Sequence, residues 1–261
     1  MGDPPEEEGA TMTQKVVITG ATAGIGLATA RTLHAAGWEI IAIGRRDDRL
    51  RDLADEFGGE RIHTVAMDVR DGQAIGRLRA IVGVPDAIVN NAGGARGLER
   101  ADAAQLDDWL WMIETNVIGL VRLTHLFLPD MVARGSGTIV NVGSVAGEFP
   151  YPGGNVYGAT KAFVRQFTLN LRADLAGTGV RVTDVEPGMV GGTEFSLTRF
   201  GGDESRAAEV YEGMTPLGPD DVAEVIAFVL SRPAHVNINT VAFMPTDQGF
   251  GPFKVARHDD V

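Results

Sequence analysis

Tyr157 and Lys161 stand four residues apart in Tyr157-Gly158-Ala159-Thr160-Lys161, a spacing that puts both side chains on one face of a helix, a turn apart. An ammonium beside a phenol favours the phenolate. The spacing therefore predicts a tyrosine titrating below its ordinary value of about 10, able to act as a general acid or base. Taken alone, the pattern is more often an exposed surface pair. Two further residues bear on it. Ser144, closing Asn141-Val142-Gly143-Ser144, offers a hydroxyl to a substrate oxygen, and Asn116, in Glu114-Thr115-Asn116-Val117, offers an amide that can hold a water for proton relay. Each by itself is more commonly a turn or helix residue.

A second set has the chemistry of a dinucleotide site. Gly20-Ala21-Thr22-Ala23-Gly24-Ile25-Gly26 follows an apolar, β-prone run and opens a helical pattern. Gly20, Gly24 and Gly26 permit a tight turn and close approach of backbone to a pyrophosphate, whose charge meets the N–H groups at the helix start beside Thr22 and Ile25. Packing glycines at an ordinary strand-helix turn would read the same way. At the end of the next strand, Ile43-Gly44-Arg45-Arg46 has no carboxylate for the adenosine ribose. Its two guanidinium groups match a 2′-phosphate, so Arg45 and Arg46 predict NADP rather than NAD; the alternative is a solvated basic helix start. Asp68-Val69 either accepts from the adenine amino group or caps the following helix. Asn90-Asn91-Ala92-Gly93 either admits the cofactor ribose or is a plain strand-end turn. In Gly188-Met189-Val190-Gly191-Gly192-Thr193 the glycines can expose successive N–H groups as an anion-binding concavity with the Thr193 hydroxyl beside it, and Arg199 either adds a charge or stays solvated.

These residues need a scaffold that brings them together. Strand patterns fall at 15–19, 39–43, 61–67, 87–90, 138–142, 181–186 and 240–244, and helical spacing at 25–36, 47–57, 107–128, 156–175 and 220–230. Near-continuous Val/Ile runs alternating with helices predict one doubly wound α/β domain of about seven parallel strands with helices on both faces, over 14–247. An acidic tail (1–13) and a short extension (248–261) flank it. The weakly periodic stretch 188–218, rich in glycine, is expected near the carboxyl ends of the strands, where such sheets bind ligands.

Composition narrows the function. Against 35 acidic residues there are 23 basic ones, a net charge of −12 with no Lys/Arg-rich block, which argues against nucleic-acid or anionic-membrane partners. No run reaches the roughly 18 apolar residues of a membrane span, and the start lacks a signal-peptide pattern, so a cytoplasmic protein is expected. The absence of cysteine removes disulfides, thiolate metal sites and a Cys nucleophile, and the five histidines show no ligand spacing, so no metal is expected. Trp109 and Trp111 read as packing or interface residues rather than a substrate clamp. Phe163, Phe167, Leu171 and Leu175 repeat every four residues opposite Tyr157 and Lys161, an apolar row that fits either the subunit core or an interface with the 107–128 segment of another copy; the latter is the expectation.

In order along the chain, Thr19-Gly20-x-x-x-Gly24-x-Gly26, Asn90-Asn91-Ala92-Gly93, Asn116, Ser144, Tyr157-x-x-x-Lys161 and Pro187-Gly188 resemble the short-chain dehydrogenase/reductase family over about 14–244. The resemblance implies a single Rossmann-type domain with Tyr157 as acid/base, Lys161 as ribose ligand and pKa modulator, Ser144 as substrate orienter and Asn116 as relay support. It also implies NADP contacts extending to Pro187, Gly188, Val190 and Thr193, and a tetramer. Gly154–Phe167, Glu186–Ser196 and Pro233–Thr240 resemble the NADP-dependent 3-hydroxy acid dehydrogenases within that family, which implies a carboxylate-bearing substrate near Ser144, Tyr157, Gly191, Gly192 and Arg199. The alternatives are a broad carbonyl reductase and, from another class, a non-catalytic NADP-binding sensor.

Overall fold

The computed structural model describes residues 13–250. Seven strands, β1 (Lys15–Thr19), β2 (Glu39–Gly44), β3 (Ile62–Ala66), β4 (Ala87–Asn90), β5 (Gly137–Val142), β6 (Val180–Pro187) and β7 (Thr240–Phe243), form one parallel sheet in the order 3-2-1-4-5-6-7. The doubly wound arrangement expected from the sequence is therefore the fold. The helices are α1 (Gly24–Ala35), α2 (Asp47–Glu56), α3 (Gly72–Val82), α4 (Leu106–Ile113), α5 (Gly119–Arg134), α6 (Asn155–Asp174), α7 (Phe195–Arg199), α8 (Glu204–Glu209) and α9 (Pro219–Leu230). Strand order reverses between β1 and β4, and at that switch point the carboxyl ends of the strands open into a crevice.

Apolar side chains on both faces explain why the strands sit inside. Leu33, Leu50, Val222 and Ile226 from α1, α2 and α9 pack on one face with Val16, Ile18, Ile40 and Val185. Leu78, Leu123, Phe127 and Leu175 cover the other with Val17, Ile41, Ile88 and Val182. A buried polar chain locks the second layer in register. Asn90 Nδ2 donates to Asn141 Oδ1 (2.8 Å) and Thr124 Oγ1 (3.2 Å), and Asn141 Nδ2 donates to Thr168 Oγ1 (2.8 Å). It ties β4 and β5 to α5 and to α6, the helix that carries Tyr157 and Lys161, and its burial makes each unmade bond costly.

The structure departs from the sequence reading in four places. Helix α3 was not expected; Gly72 and Gly76 dilute its apolar period, although Asp71 caps it by accepting from Gln73 and Ala74 N–H. The single helix expected over 107–128 is α4 and α5 joined by a π-turn, Glu114–Ile118, and α5 runs on through Pro129 to Arg134. The stretch 188–218 holds α7 and α8, too short to show a period. Finally, Gln248, assigned to the extension, meets the domain: its Oε1 accepts from Met189 N–H at 2.7 Å. The tail over 1–13, Thr13 apart, and residues 251–261 lie outside the described residues.

Candidate active site

Helix α6 starts at Asn155, so Tyr157 lies in its first turn and Lys161 one turn on, both turned into the protein. Tyr157 packs among Ala95, Trp111 and Met112, with Phe195 meeting its ring edge-on at 5.5 Å. Ser144, two residues beyond the end of β5, accepts from Ala146 N–H (3.2 Å), and its hydroxyl lies beside the Tyr157 phenol. The expected trio of Ser144, Tyr157 and Lys161 is thus assembled from two segments, the turn after β5 and the start of α6.

Its electrostatics differ from the sequence expectation. Burial pushes the Tyr157 phenol up to about 12, and the bond from Ser144 and the Arg199 charge only partly oppose it. Lys161 does not lower it here: its Nζ lies 5.9 Å from the ring centroid and donates to Val142 O at 2.7 Å. Burial likewise pushes Lys161 down to about 8, with Asp184 opposing. Desolvation of the charged forms outweighs a through-space attraction at that distance. At neutral pH the resting tyrosine is therefore a protonated acid.

Asn116 also behaves differently from a free relay amide. The π-turn presents its side chain inward, where Oδ1 accepts from Gly94 N–H (2.9 Å) and Nδ2 donates to Gly94 O (2.9 Å) and Thr160 Oγ1 (3.0 Å). Both amide hydrogens are spent on clamping the segment after β4 to α6. Thr160, which the sequence did not single out, completes the clamp by donating to Tyr157 O at 2.7 Å.

The residues that would hold a dinucleotide fit one. A Cβ at Gly26 would collide with Gly20 O, and Gly20 and Gly24 have φ of +70° and +50°, so the turn admits no side chains. Helix α1 has no side-chain N-cap, which leaves its first N–H groups aimed at the crevice beside Thr22 and Ile25. Asn91 braces this turn instead of facing a ligand: its Nδ2 donates to Thr19 O at 2.9 Å. A Cβ at Gly93 would lie 3.0 Å from Asn116 Oδ1 and 3.7 Å from Lys161 Nζ, so the glycine keeps the approach to the ammonium open.

Arg45 is exposed at the start of the β2–α2 connection. Arg46 donates to Glu194 Oε1 (2.9 Å) and Thr22 Oγ1 (3.2 Å), a bridge from the adenosine end of the crevice to the segment before α7. The hydrogen bond from Arg46 also holds the Glu194 carboxyl below its ordinary range. Asp68 caps no helix. It receives Arg70 through its main-chain N–H and guanidinium, and these bonds outweigh burial in lowering its pKa. Val69 backs onto α5 at Gly119.

The segment over the site is tied down more than its glycines suggest. The N–H groups of Gly188, Met189 and Gly191 are spent on Phe243 O, Gln248 Oε1 and Leu217 O, so the concavity expected there does not form from them. Tyr211 donates to Val190 O at 2.9 Å. Gly192 is exposed, with φ +65°, and Thr193 sits over Gly24, its Cβ 3.1 Å from where a side chain there would begin. Pro187 ends β6, its carbonyl 3.5 Å from Ser144 Oγ.

Arg199 is the one expected charge that reaches the trio. Its guanidinium carbon lies 5.3 Å from the Tyr157 ring, 5.4 Å from Phe195 and 5.7 Å from Tyr151, whose hydroxyl accepts from Nη2. Its Nε is buried with no partner among the described residues. Among those residues no group of His, Asp and Glu is arranged to hold a metal. No described helix is long and apolar enough to cross a membrane.

Residues 14–200 match the short chain dehydrogenase family. The chain is 53% identical over 246 residues to the NADP-dependent 3-hydroxy acid dehydrogenase YdfG of Salmonella typhi, covering 93% of this chain and 99% of that one. It is 50% identical to sulfoacetaldehyde reductase 2 of Chromohalobacter salexigens, covering 94% and 100%. Among solved structures, the closed form of serine dehydrogenase complexed with NADP+ superposes with a TM-score of 0.92 at 50% identity, covering 94% and 100%.

Two outcomes follow from this geometry. With Arg45 and Arg46 as the expected 2′-phosphate ligands, replacing both by alanine lowers the NADP-over-NAD ratio of kcat/KM about a hundredfold; steady-state kinetics with both cofactors measure it, and an unchanged ratio assigns the preference elsewhere. Tyr157→Phe lowers kcat by about 10²–10⁴ while NADPH affinity, read by fluorescence titration, stays within about twofold, since the ring still packs. Retention of more than about a tenth of the rate would remove the phenol from proton transfer.

Proposed function

The chain belongs to the short-chain dehydrogenase family, and from that premise we propose an NADP-dependent oxidoreductase that interconverts small 3-hydroxy acids, such as serine, allo-threonine and 3-hydroxypropionate, with their 3-oxo acids or semialdehydes. The bound nicotinamide supplies or accepts the hydride at carbon 3. The residues of the chain manage the oxygen and the charge. Ser144 and Tyr157 grip the reacting oxygen, and the phenol, protonated at rest, gives its proton to the carbonyl oxygen as the alkoxide forms. Lys161 holds a positive charge beneath the ribose side of the crevice, and the clamp from Asn116 to Gly94 and Thr160 keeps that side in place.

Arg199 carries the substrate assignment. A 3-hydroxy acid places its carboxylate two bonds from the reacting carbon, within the compass of a guanidinium held against the Tyr157 ring. A buried guanidinium N–H without a partner is costly unless a ligand anion receives it. A neutral ketone would leave that N–H unmatched, at about 1–3 kcal/mol. The relative named for sulfoacetaldehyde supports the same reading, because that compound and malonic semialdehyde both place one methylene between an aldehyde and an anionic head. Gly192 and Thr193 border the pocket; Gly191, with its N–H spent, contributes shape only.

The reading includes a homotetramer working in the cytoplasm. Its support is an uncovered apolar stripe on α4, where Leu106, Leu110 and Ile113 are 64%, 48% and 39% exposed, together with Phe163 on α6 at 39%. Phe163 stacks on Phe167, but Leu171 and Leu175 pack into the subunit's own core, so the interface half of the expected row is its first two residues.

Comparison of malonic semialdehyde with a neutral aldehyde of matching size tests the substrate class. Wild type favours the anionic compound, and Arg199→Ala lowers kcat/KM for it by about ten- to a hundredfold while sparing the neutral one. Equal efficiency in wild type would instead identify a general carbonyl reductase. Light scattering at micromolar concentration yields the mass of four chains; a monomer mass excludes the assembly.

A further inference from the structure

The apolar pattern of β6 is interrupted twice on one face. Asp184 and Glu186 stand two residues apart, so both project toward α6, and they are 0% and 1% exposed. No part of the mechanism above uses either. A Cβ at Gly143 would collide with Asp184 Oδ1, so β5 leaves room for this carboxyl directly behind Ser144. All four carboxyl oxygens lack an N–H or O–H donor among the described residues when both groups are ionised. Two carboxyl groups side by side on one buried strand face, with no donor to either, cannot both hold a charge, which leaves a proton with one of them.

The surrounding charges indicate which one carries it. Arg165 Nε lies 3.2 Å from Glu186 Oε1, and its Nη2 lies 3.5 Å from Glu148 Oε2 at the rim, so the cation favours the charge on Glu186. Asp184 feels Glu186, Lys161 and Arg165, and burial with the neighbouring Glu186 pushes it up to about 8. Glu186 feels Asp184, Arg165 and Glu148 and is raised chiefly by burial. Asp184 is also the one charge that opposes the desolvation of Lys161.

We propose that Asp184 and Glu186 hold one proton between them behind the active site, and that Asp184, by releasing it to solvent in alkaline medium, becomes the counter-charge that keeps Lys161 an ammonium. Asp184 is then a positioning residue that acts through Lys161. The proposal rests on the reading of Lys161 as the charge serving the cofactor. At neutral pH Asp184 is uncharged, and Lys161 keeps its proton with the Val142 carbonyl as its hydrogen-bond partner. As pH rises, the aspartate anion forms at the moment when the buried ammonium would otherwise be lost. The like-charged repulsion within the carboxyl pair and the attraction across to Lys161 thus oppose each other over one pH range.

The test is the pH dependence of NADPH affinity and of kcat/KM in wild type and Asp184→Asn, which keeps shape and hydrogen bonding. Both quantities should match wild type near about pH 6, and the alkaline limb of both should move down by about one pH unit in the variant. A merely structural role would scale the profile without moving the limb, and that result overturns the proposal. Infrared spectra of wild type provide a readout that needs no variant to fold: a protonated-carboxyl band is expected at neutral pH and should fade in alkaline solution. Its absence at neutral pH overturns the shared proton. Cofactor affinity and the infrared band are independent of substrate, so failure of the substrate comparison with these intact would fault the proposed reaction alone.

Discussion

A lysine ammonium held out of water is the constraint around which the rest of the site is arranged. Lys161 is 7% exposed, and an unaided charge there would shed its proton. The fold supplies compensation from several directions: the Val142 carbonyl at the end of β5, Asp184 on the neighbouring strand, and glycines at 93 and 147 that let other chain segments come close. A parallel sheet suits this task because all its carboxyl ends point one way, so carbonyls and side chains from β4, β5 and β6 converge without any long loop. The same burial that taxes the lysine keeps the tyrosine protonated, and both effects come from one apolar enclosure.

The asparagine side chains around that enclosure act as ties between segments. Asn116 spends its amide on Gly94 and Thr160, Asn90 and Asn141 spend theirs on each other and on two threonines, and Asn91 braces the glycine turn. Each asparagine joins elements far apart in the chain, so the crevice is held by side-chain amides as much as by the ladder of the sheet. Above it, the Arg46–Glu194 bridge joins segments 148 residues apart and links the adenosine end to the loop leading to Arg199. Cofactor and substrate ends therefore share one mechanical connection.

Much of this was legible in the residues. The seven strands announce themselves because strands buried on both faces are continuous Val/Ile runs, and Tyr157-x-x-x-Lys161 with Ser144 and the glycine turn is a joint pattern that few other folds would carry. What escaped had physical causes. The α3 period is diluted by glycine, and α7 and α8 span fewer than two turns. The fate of an N–H at Gly191 depends on Leu217, and that of Arg46 on Glu194, neither of which spacing can reveal. The sign of the shift at Tyr157 was misread because helical spacing fixes which face a lysine occupies but not the depth of burial or the carbonyl it finds. Asp184 and Glu186 did leave a signal, two acids alternating within an apolar strand.

The π-turn at Glu114–Ile118 carries a consequence for how such a chain tolerates change in length. A π-turn holds one residue more than the α-helical turn it replaces, so removing a residue there would restore a regular helix and strengthen local hydrogen bonding. It would also rotate everything on the α4 side by about 100° relative to α5. Asn116 would swing away from Gly94, Trp111 would leave the wall behind Tyr157, and the apolar stripe would face a new direction. The irregular turn is thus what sets the rotation between the two helices, and the most regular version of this helix would be one that no longer lines the site.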